Sequence, residues 1–320
     1  MDRPGPVSPL REIAGAVVDL ADSHPIGDEV CVGLSGGADS LALTAGAVAA
    51  GLAVTALVID HGLQRDSRAV AERAADQARG LGARAQVIGV SVSTRGGPEG
   101  AARRARHGAL ADARDGAPVL LAHTLDDQAE TVLLGLGRGS GPRSIAGMVA
   151  WAPPWGRPLL ALRRSVTHAA CDELGLEPWH DPHNTDPRFA RARLRAEVIP
   201  VLEDILGGGV APALARTARR LREDAEVLDA LADDVDAGGG TNGLDRTVLA
   251  ALPAAIRRRV VRRWMISVGA TEPTERLILA VDDLVFDPRP HAAVAIGGDS
   301  GHRLNVVADG VELTVTTTPR

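Results

Sequence analysis

Three groups of residues in this chain have the types and spacings that phosphate and amine chemistry need. The first is Ser35-Gly36-Gly37-Ala38-Asp39-Ser40, between an apolar run at 30–34 and a helix-forming segment that starts at Leu41. A strand, a glycine-rich turn and a helix start make an anion site. The glycines let the backbone come close, free N–H groups of the first helical turn face the oxyanions, and the dipole favours negative charge. Loops that hold a γ-phosphate for transfer place a lysine among the phosphates. This chain has no lysine, its basic residues besides histidine being arginines, so the loop reads as a phosphate cradle of another kind.

The second group is His123-Thr124-Leu125-Asp126-Asp127-Gln128-Ala129-Glu130. Thr124 suits an N-cap, and Asp127 three residues later can bond back to it, a capping box. Capping explains one acid near a helix start, but not His123, Asp126, Asp127 and Glu130 together. Three acids within one turn repel one another unless a cation, either a metal or a substrate ammonium, sits among them. Asp60-His61-Gly62-Leu63 closes an apolar run; as structure it is a turn, and as function it lets His61 meet a nucleotide.

The third group is arginines. Arg103 and Arg106 share a face of a helical turn at 99–107, which by itself reads as a solvated surface. A proline-bounded loop at 181–187 leads into a helix with Arg188, Arg191 and Arg195 along one side and Arg193 between them, a ladder suited to a phosphate or RNA backbone. A further helix at 253–268 packs on Ile256, Val260 and Trp264 and is expected to expose Arg257, Arg258, Arg259, Arg262 and Arg263, either along a tRNA backbone or as a solvated face whose arginines pair with acids such as Asp282 and Asp283.

The elements that must position these groups alternate. Apolar runs near 30–34, 52–59, 85–90 and 118–122 are separated by helical segments at about 40–50, 66–79 and 99–115. Near-continuous apolar strands alternating with helices predict an α/β fold with a doubly wound parallel sheet. Ligands bind beyond the carboxyl ends of such strands, and the polar clusters are expected to sit at those ends and to share a single site. After a helix at about 164–175 and the arginine ladder, the organisation changes. Leu214, Ala218, Leu221, Ala225 and Leu228 form a helical stripe, a short helix follows at 274–285, and Ala308-Asp309-Gly310-Val311 signals a hairpin. The expected division is a catalytic domain over 1–205 and a smaller, mostly helical domain with a β-hairpin over 206–320.

Bulk properties agree with a water-soluble enzyme. The chain has 320 residues, 45% hydrophobic, with no apolar run long enough to span a bilayer and no signal-peptide pattern at its start, so no membrane partner and a cytoplasmic address are expected. Cys31 and Cys171 are too isolated for a zinc site or a disulfide framework. A net charge of −6 does not suggest a general nucleic-acid binder, although the arginines are locally concentrated. The oligomeric state is open, a homodimer included.

The loop at 35–40 resembles that of the PP-loop ATP pyrophosphatases, Rossmann-like enzymes that cleave ATP between the α- and β-phosphates. The longer strings A-H-T-L-D-D-Q-A-E-T at 122–131 and D-P-H-N-T-D-P-R-F-A-R-A-R-L-R at 181–195, with D-H-G-L at 60–63, A-A-R-R-A-R-H at 101–107, R-G-S-G at 138–141 and R-P-L-L at 157–160, resemble the bacterial tRNA(Ile)-lysidine synthetases. The likeness covers about 28–205 and beyond that is one of layout, in the short form of the family. His107 stands where the family has Tyr, and Ala192 where it has Asn.

The resemblance implies a two-step ligation. The wobble cytidine of a tRNA(Ile) with a CAU anticodon is adenylated by ATP with loss of pyrophosphate, and free L-lysine then displaces AMP. It implies ATP binding by Ser35, Gly36, Gly37, Ala38, Asp39, Ser40 and His61, with Mg²⁺ on Asp39. Arg103, His123 and Asp127 take catalytic roles, and Asp126, Asp127 and Glu130 face the lysine. Arg188, Arg191, Arg193, Arg195, Arg258, Arg259 and Arg262 are left as contacts to tRNA or to ATP phosphate. The rivals are a tRNA thiolase, which needs cysteines this chain does not place suitably, an enzyme adenylating a small acid, and a non-catalytic tRNA-binding protein.

Overall fold

The computed structural model describes residues 7–62, 66–90, 98–139, 141–182, 186–238, 243–271, 273–298 and 301–319, with side chains from 104 onward in the fourth helix. The chain divides into two compact units, with Arg138–Ala146 and the chain from Arg219 onward in the second.

The first unit is built on α1 (Pro9–Ser23), β1 (Glu29–Leu34), α2 (Ala38–Ala49), β2 (Ala53–Asp60), α3 (Ser67–Gly80), β3 (Arg84–Gly89), α4 (Pro98–Ala113), β4 (Val119–Leu120) and α5 (Leu125–Gly137). The strands of its sheet run in the order β3-β2-β1-β4-β6-β5, where β5 is Trp151–Ala152 and β6 is Trp155–Gly156. β1, β2, β3, β4 and β6 are parallel, and β5 is an antiparallel edge. Period-two alternation puts Val30, Val32 and Leu34 against one face, with α1, α2, α3 and α7 (Arg164–Leu174). Cys31 turns to the other face, with Leu110 of α4 and Leu121. The doubly wound parallel sheet expected from the sequence is present. α1 and the two-residue strands β5 and β6 are additions, the strands being too short to show a period.

The strand order reverses between β1, whose chain moves on to β2, and β4, so β1 and β4 flank the crevice in which doubly wound sheets take ligands. The 35–40 loop leaves the carboxyl end of β1, and His123 and α5 follow β4. After α7 come α8 (Ala190–Arg193), a π-helical stretch over Leu194–Val198, α9 (Ile199–Ile205) and α10 (Val210–Asp233).

The second unit holds the short α6 (Pro142–Ile145), β7 (Gly243–Asp245), α11 (Arg246–Ala251), α12 (Ala254–Ser267), α13 (Glu275–Leu284), β8 (Ala293–Gly298), β9 (His302–Asp309) and β10 (Glu312–Pro319). The expected hairpin is there, with Asp309 opposite Glu312, but it belongs to a four-stranded antiparallel sheet, β7-β10-β9-β8. Its core joins Ile256, Val260 and Trp264 of α12 to Ile278 and Val281 of α13 and Val306 and Leu313 of the sheet.

One expectation for α12 needs correction. Arg257 is 8% exposed and Asp282 of α13 is 3% exposed. Arg257 Nε donates to Asp282 Oδ1 at 2.6 Å and Nη2 to Oδ2 at 3.2 Å, and Arg258 Nε adds 3.0 Å to Oδ2. Arg259 pairs with Asp229 at 2.8 Å, and Arg263 with Asp233. The acids that neutralise this arginine run come from α10 and α13. Within α12 there are none, so the sequence of the helix alone suggests a bare basic face. Among the described residues Arg262 makes no ion pair. Asp282→Ala strands a buried guanidinium, and the expected loss is about 3–5 kcal/mol of unfolding free energy for the second unit, read by denaturant titration.

Candidate active site

The 35–40 loop is held open from within. Ser40 Oγ donates to Gly37 O at 2.9 Å and lies 3.1 Å from Ser35 Oγ, and the Ser35 N–H reaches Ser40 Oγ at 3.2 Å. Gly36 adopts φ +82°, a left-handed conformation that glycine takes without cost. A Cβ there would lie 3.2 Å from the Ala74 Cβ, and the Gly36 carbonyl accepts from Trp179 N–H at 2.9 Å. Gly37 is the N-cap of α2, and no side chain caps that helix start, which leaves its first amides to an anion.

Asp39, in the first turn of α2, accepts hydrogen bonds from Thr167 Oγ1 and, at 3.3 Å, from Arg164 Nε. Burial pushes its carboxyl above the ordinary 3.8, and Thr167 and Arg164 offset that only in part.

α5 opens with the capping box expected from the sequence. Asp127 N–H donates to Thr124 Oγ1 at 3.4 Å, and Asp127 Oδ2 accepts from Thr124 N–H at 2.8 Å. The other oxygen, Oδ1, takes Arg164 Nη2 at 2.6 Å and Arg195 Nη2 at 3.3 Å. Burial pushes Asp127 up, but Arg164 and the Thr124 hydrogen bonds outweigh it and hold the carboxyl below 3.8. Glu130, fully buried, is gripped by the Arg195 fork, Nε to Oε1 at 2.7 Å and Nη2 to Oε2 at 3.2 Å, with Arg164 Nη1 at 3.7 Å and Arg191 Nη1 at 3.8 Å. Asp126 does different work: its Oδ2 caps α7 through Arg164 N–H at 2.8 Å and its Oδ1 pairs with Arg163 at 3.0 Å.

The acids do need cations among them, and in this structure the cations are the protein's own guanidinium groups. Arg163, Arg164 and Thr167 of the α7 start were missed from sequence. The signal was present, since Arg163-Arg164 stands three residues past the R-P-L-L string. The arginine ladder also divides. Arg191 and Arg195 turn to the acid cluster, Arg191 Nη2 reaching Thr131 at 3.1 Å, whereas Arg188 precedes the helix and pairs with Asp186, and Arg193 pairs with Glu197. A cleft of about 350 Å³ opens beside the cluster, lined by Asp126, Glu130, Arg163, Arg164, Arg195 and Glu203.

His61 follows β2, and its Nδ1 is buried with no hydrogen-bond partner among the described residues. Burial and then Arg106 lower its pKa from 6.5, which favours the neutral ring at neutral pH. His123 lies close enough to Asp127 to help lower its pKa. The Arg103 side chain, Leu63, Ser140 and His183-Asn184-Thr185 lie outside the described residues. Among the described residues no single helix is long and apolar enough to cross a membrane.

The sheet order and the loop at the β1–β4 crevice define an ATP-using PP-loop protein, and the PP-loop domain family model matches residues 13–202. A second family model, the TilS substrate binding domain, matches residues 244–305. The chain is 60% identical over 310 residues to the tRNA(Ile)-lysidine synthase of Mycolicibacterium paratuberculosis, covering 95% of each. It is 58% identical over 289 residues to that of Nocardia farcinica, covering 89% of this chain and 91% of that one. A solved tRNA thiolase from Methanococcus maripaludis shares the fold, with a TM-score of 0.52 at 17% identity over 67% of this chain and 80% of that one. The chain belongs to the tRNA(Ile)-lysidine synthase family.

Asp39 and Asp127 carry opposite pH signatures. A carboxyl raised by folding favours the fold most below its unfolded value, and that contribution is lost as pH rises through the raised pKa. At neutral pH ionised Asp39 therefore costs stability. Asp127, lowered, contributes above 3.8 and loses its contribution as pH falls through its depressed pKa. Asp39→Asn is expected to leave the thermal midpoint at pH 7 unchanged or higher while adenylation falls about 100-fold or more. A melting scan beside a pyrophosphate-release assay reads both.

Proposed function

We propose that this protein is an ATP-dependent ligase that joins free L-lysine to the wobble cytidine of tRNA(Ile), releasing AMP and pyrophosphate. The observation that carries it is the uncapped start of α2 at the β1–β4 crevice, beside a cleft lined by both charge signs. The tRNA substrate follows from the family; lysine, Mg²⁺ and the residue roles are our reading.

In the first step the cytidine O2 attacks the α-phosphorus and pyrophosphate leaves. Gly36, Gly37 and the first amides of α2 hold the departing pyrophosphate, and His61 lies on the nucleoside side. Asp39 suits Mg²⁺: it is a hard oxygen donor whose burial its protein partners do not fully offset. Mg²⁺ bound there supplies charge for the leaving pyrophosphate. Arg103, on α4, is assigned the α-phosphate. In the second step the lysine ε-amine attacks carbon 2, AMP leaves with O2, and His123 takes the proton the amine gives up. The cleft suits a zwitterion with an extra cation, with Arg163 and Arg195 toward the carboxylate and the acid cluster of Asp126, Asp127 and Glu130, of which Asp126 and Glu130 line the cleft, toward an ammonium.

A thiolase needs reactive cysteines. Cys31 and Cys171 are both buried and unpaired, and burial pushes the Cys171 thiol up to about 11, so it stays protonated and poorly nucleophilic at neutral pH.

Incubation with ATP, Mg²⁺, labelled lysine and a CAU-anticodon tRNA(Ile) transcript is expected to put the label into tRNA with equal yields of AMP and pyrophosphate. ADP as product, or unlabelled tRNA, would overturn the reading. Asp127→Asn should raise the lysine requirement roughly 10- to 100-fold and the ATP requirement far less, because it removes a charge-assisted contact. On α12, Arg262→Gln should lower the salt slope of tRNA binding by about 0.7–0.9 in a filter-binding titration. Arg258→Gln and Arg259→Gln should instead lower stability, since their partners are Asp282 and Asp229.

A further inference from the structure

Arg164 faces three carboxylates from two different sites. Its Nε is 3.3 Å from Asp39 on α2, its Nη2 is 2.6 Å from Asp127 on α5, and its Nη1 is 3.7 Å from Glu130. Asp39 belongs to the nucleotide loop; Asp127 and Glu130 belong to the acid cluster. The guanidinium also lines the cleft beside that cluster, so it stands where an incoming ammonium would seek its partners. Its backbone is fixed, because its N–H is the one that Asp126 caps. The long side chain beyond that anchor has several rotatable bonds by which it can exchange one anion for another.

One guanidinium cannot satisfy Asp39, Asp127 and a newly arrived phosphate equally. A nucleotide on the α2 start brings several negative charges within reach of Nε, and the side chain then gains by turning toward them. We propose that Arg164 makes the amino-acid site depend on the nucleotide site: it holds Asp127 in the empty protein, and the α-phosphate of a bound nucleotide draws it off and releases Asp127 Oδ1 from its shortest ion pair for the amino acid's ammonium, while Arg195 keeps its grip on Glu130. Arg164 is thus a positioning residue that orders the two half-reactions. This inference rests on the lysine ligase reading.

Coupling between two sites is reciprocal and typically 5- to 150-fold, and it is measurable without turnover. Calorimetry of lysine binding to the wild-type chain, with and without α,β-methylene-ATP and Mg²⁺, should show lysine binding at least about 5-fold tighter when the analogue is present. In Arg164→Gln the affinity without analogue should match or exceed that of wild type, and the coupling should fall below about 2-fold. Added lysine should also raise the thermal midpoint of Arg164→Gln more than that of wild type, since its ammonium replaces the missing cation.

If Arg164→Gln folds poorly, Arg164→Lys carries the test. It keeps the charge, but a single ammonium cannot span Asp39 and Asp127, so the coupling should again collapse. A purely structural salt bridge predicts a lower midpoint with coupling unchanged, and that result overturns the inference. So does equal lysine affinity with and without analogue in wild type. Wild type that binds no lysine under either condition overturns the ligase reading along with it.

Discussion

Charge compensation around α5 is the constraint on which the catalytic unit depends. Asp39, Asp126, Asp127 and Glu130 converge from two helices, and each carboxylate meets a guanidinium: Arg164, Arg163, Arg164 with Arg195, and Arg195 in turn. Removing ionised carboxylates from water is costly unless each is paired and hydrogen-bonded. Full burial of Glu130 is tolerable only because Arg195 presents a fork of the right geometry. The pairings also tie α2, α5, α7 and the π-helical stretch together around the crevice, so the ion network frames the site as much as the sheet does.

The sheet determines where that network can form. With β1 and β4 adjacent and their onward connections leaving in opposite directions, the crevice stays open above two carboxyl strand ends. One end delivers the 35–40 loop and the other delivers His123 and the α5 capping box. Helix starts therefore dominate the site. α2 offers uncapped amides to phosphate, α5 caps itself through Thr124 and Asp127, and α7 is capped from a distance by Asp126. Three similar local problems receive three solutions, and only the first leaves donors for a ligand.

Most of the architecture was legible because its signals are local. Strand runs, the capping box at 124–127, the stripe of α10 and the turn at Gly310 all rest on periods or on residues a few positions apart. The partners of most charged side chains were not legible. Asp126 reads as one of three equivalent acids, yet its oxygens are committed to an α7 start, Arg164 standing 38 residues later. For the α12 arginines Asp282 is a candidate partner already in the sequence, whereas Asp229 and Asp233 lie on α10, where no local pattern points to them. Pairing across the fold carries no period, so single-chain patterns identified which residues do chemistry better than which residues hold them.

The cations of the acid cluster are arginines throughout, and this has a bearing on proton traffic. A guanidinium keeps its proton at any physiological pH, whereas an alkylammonium gives one up readily when desolvated. Arg163, Arg164, Arg191 and Arg195 can hold negative charge in place without donating protons to a neighbouring base. If a free lysine enters this cleft, the protons that can be given up are those of its own amino groups and not those of the guanidinium scaffold. The scaffold's positive charge is thereby chemically silent, and nucleophilicity can reside in the substrate amine.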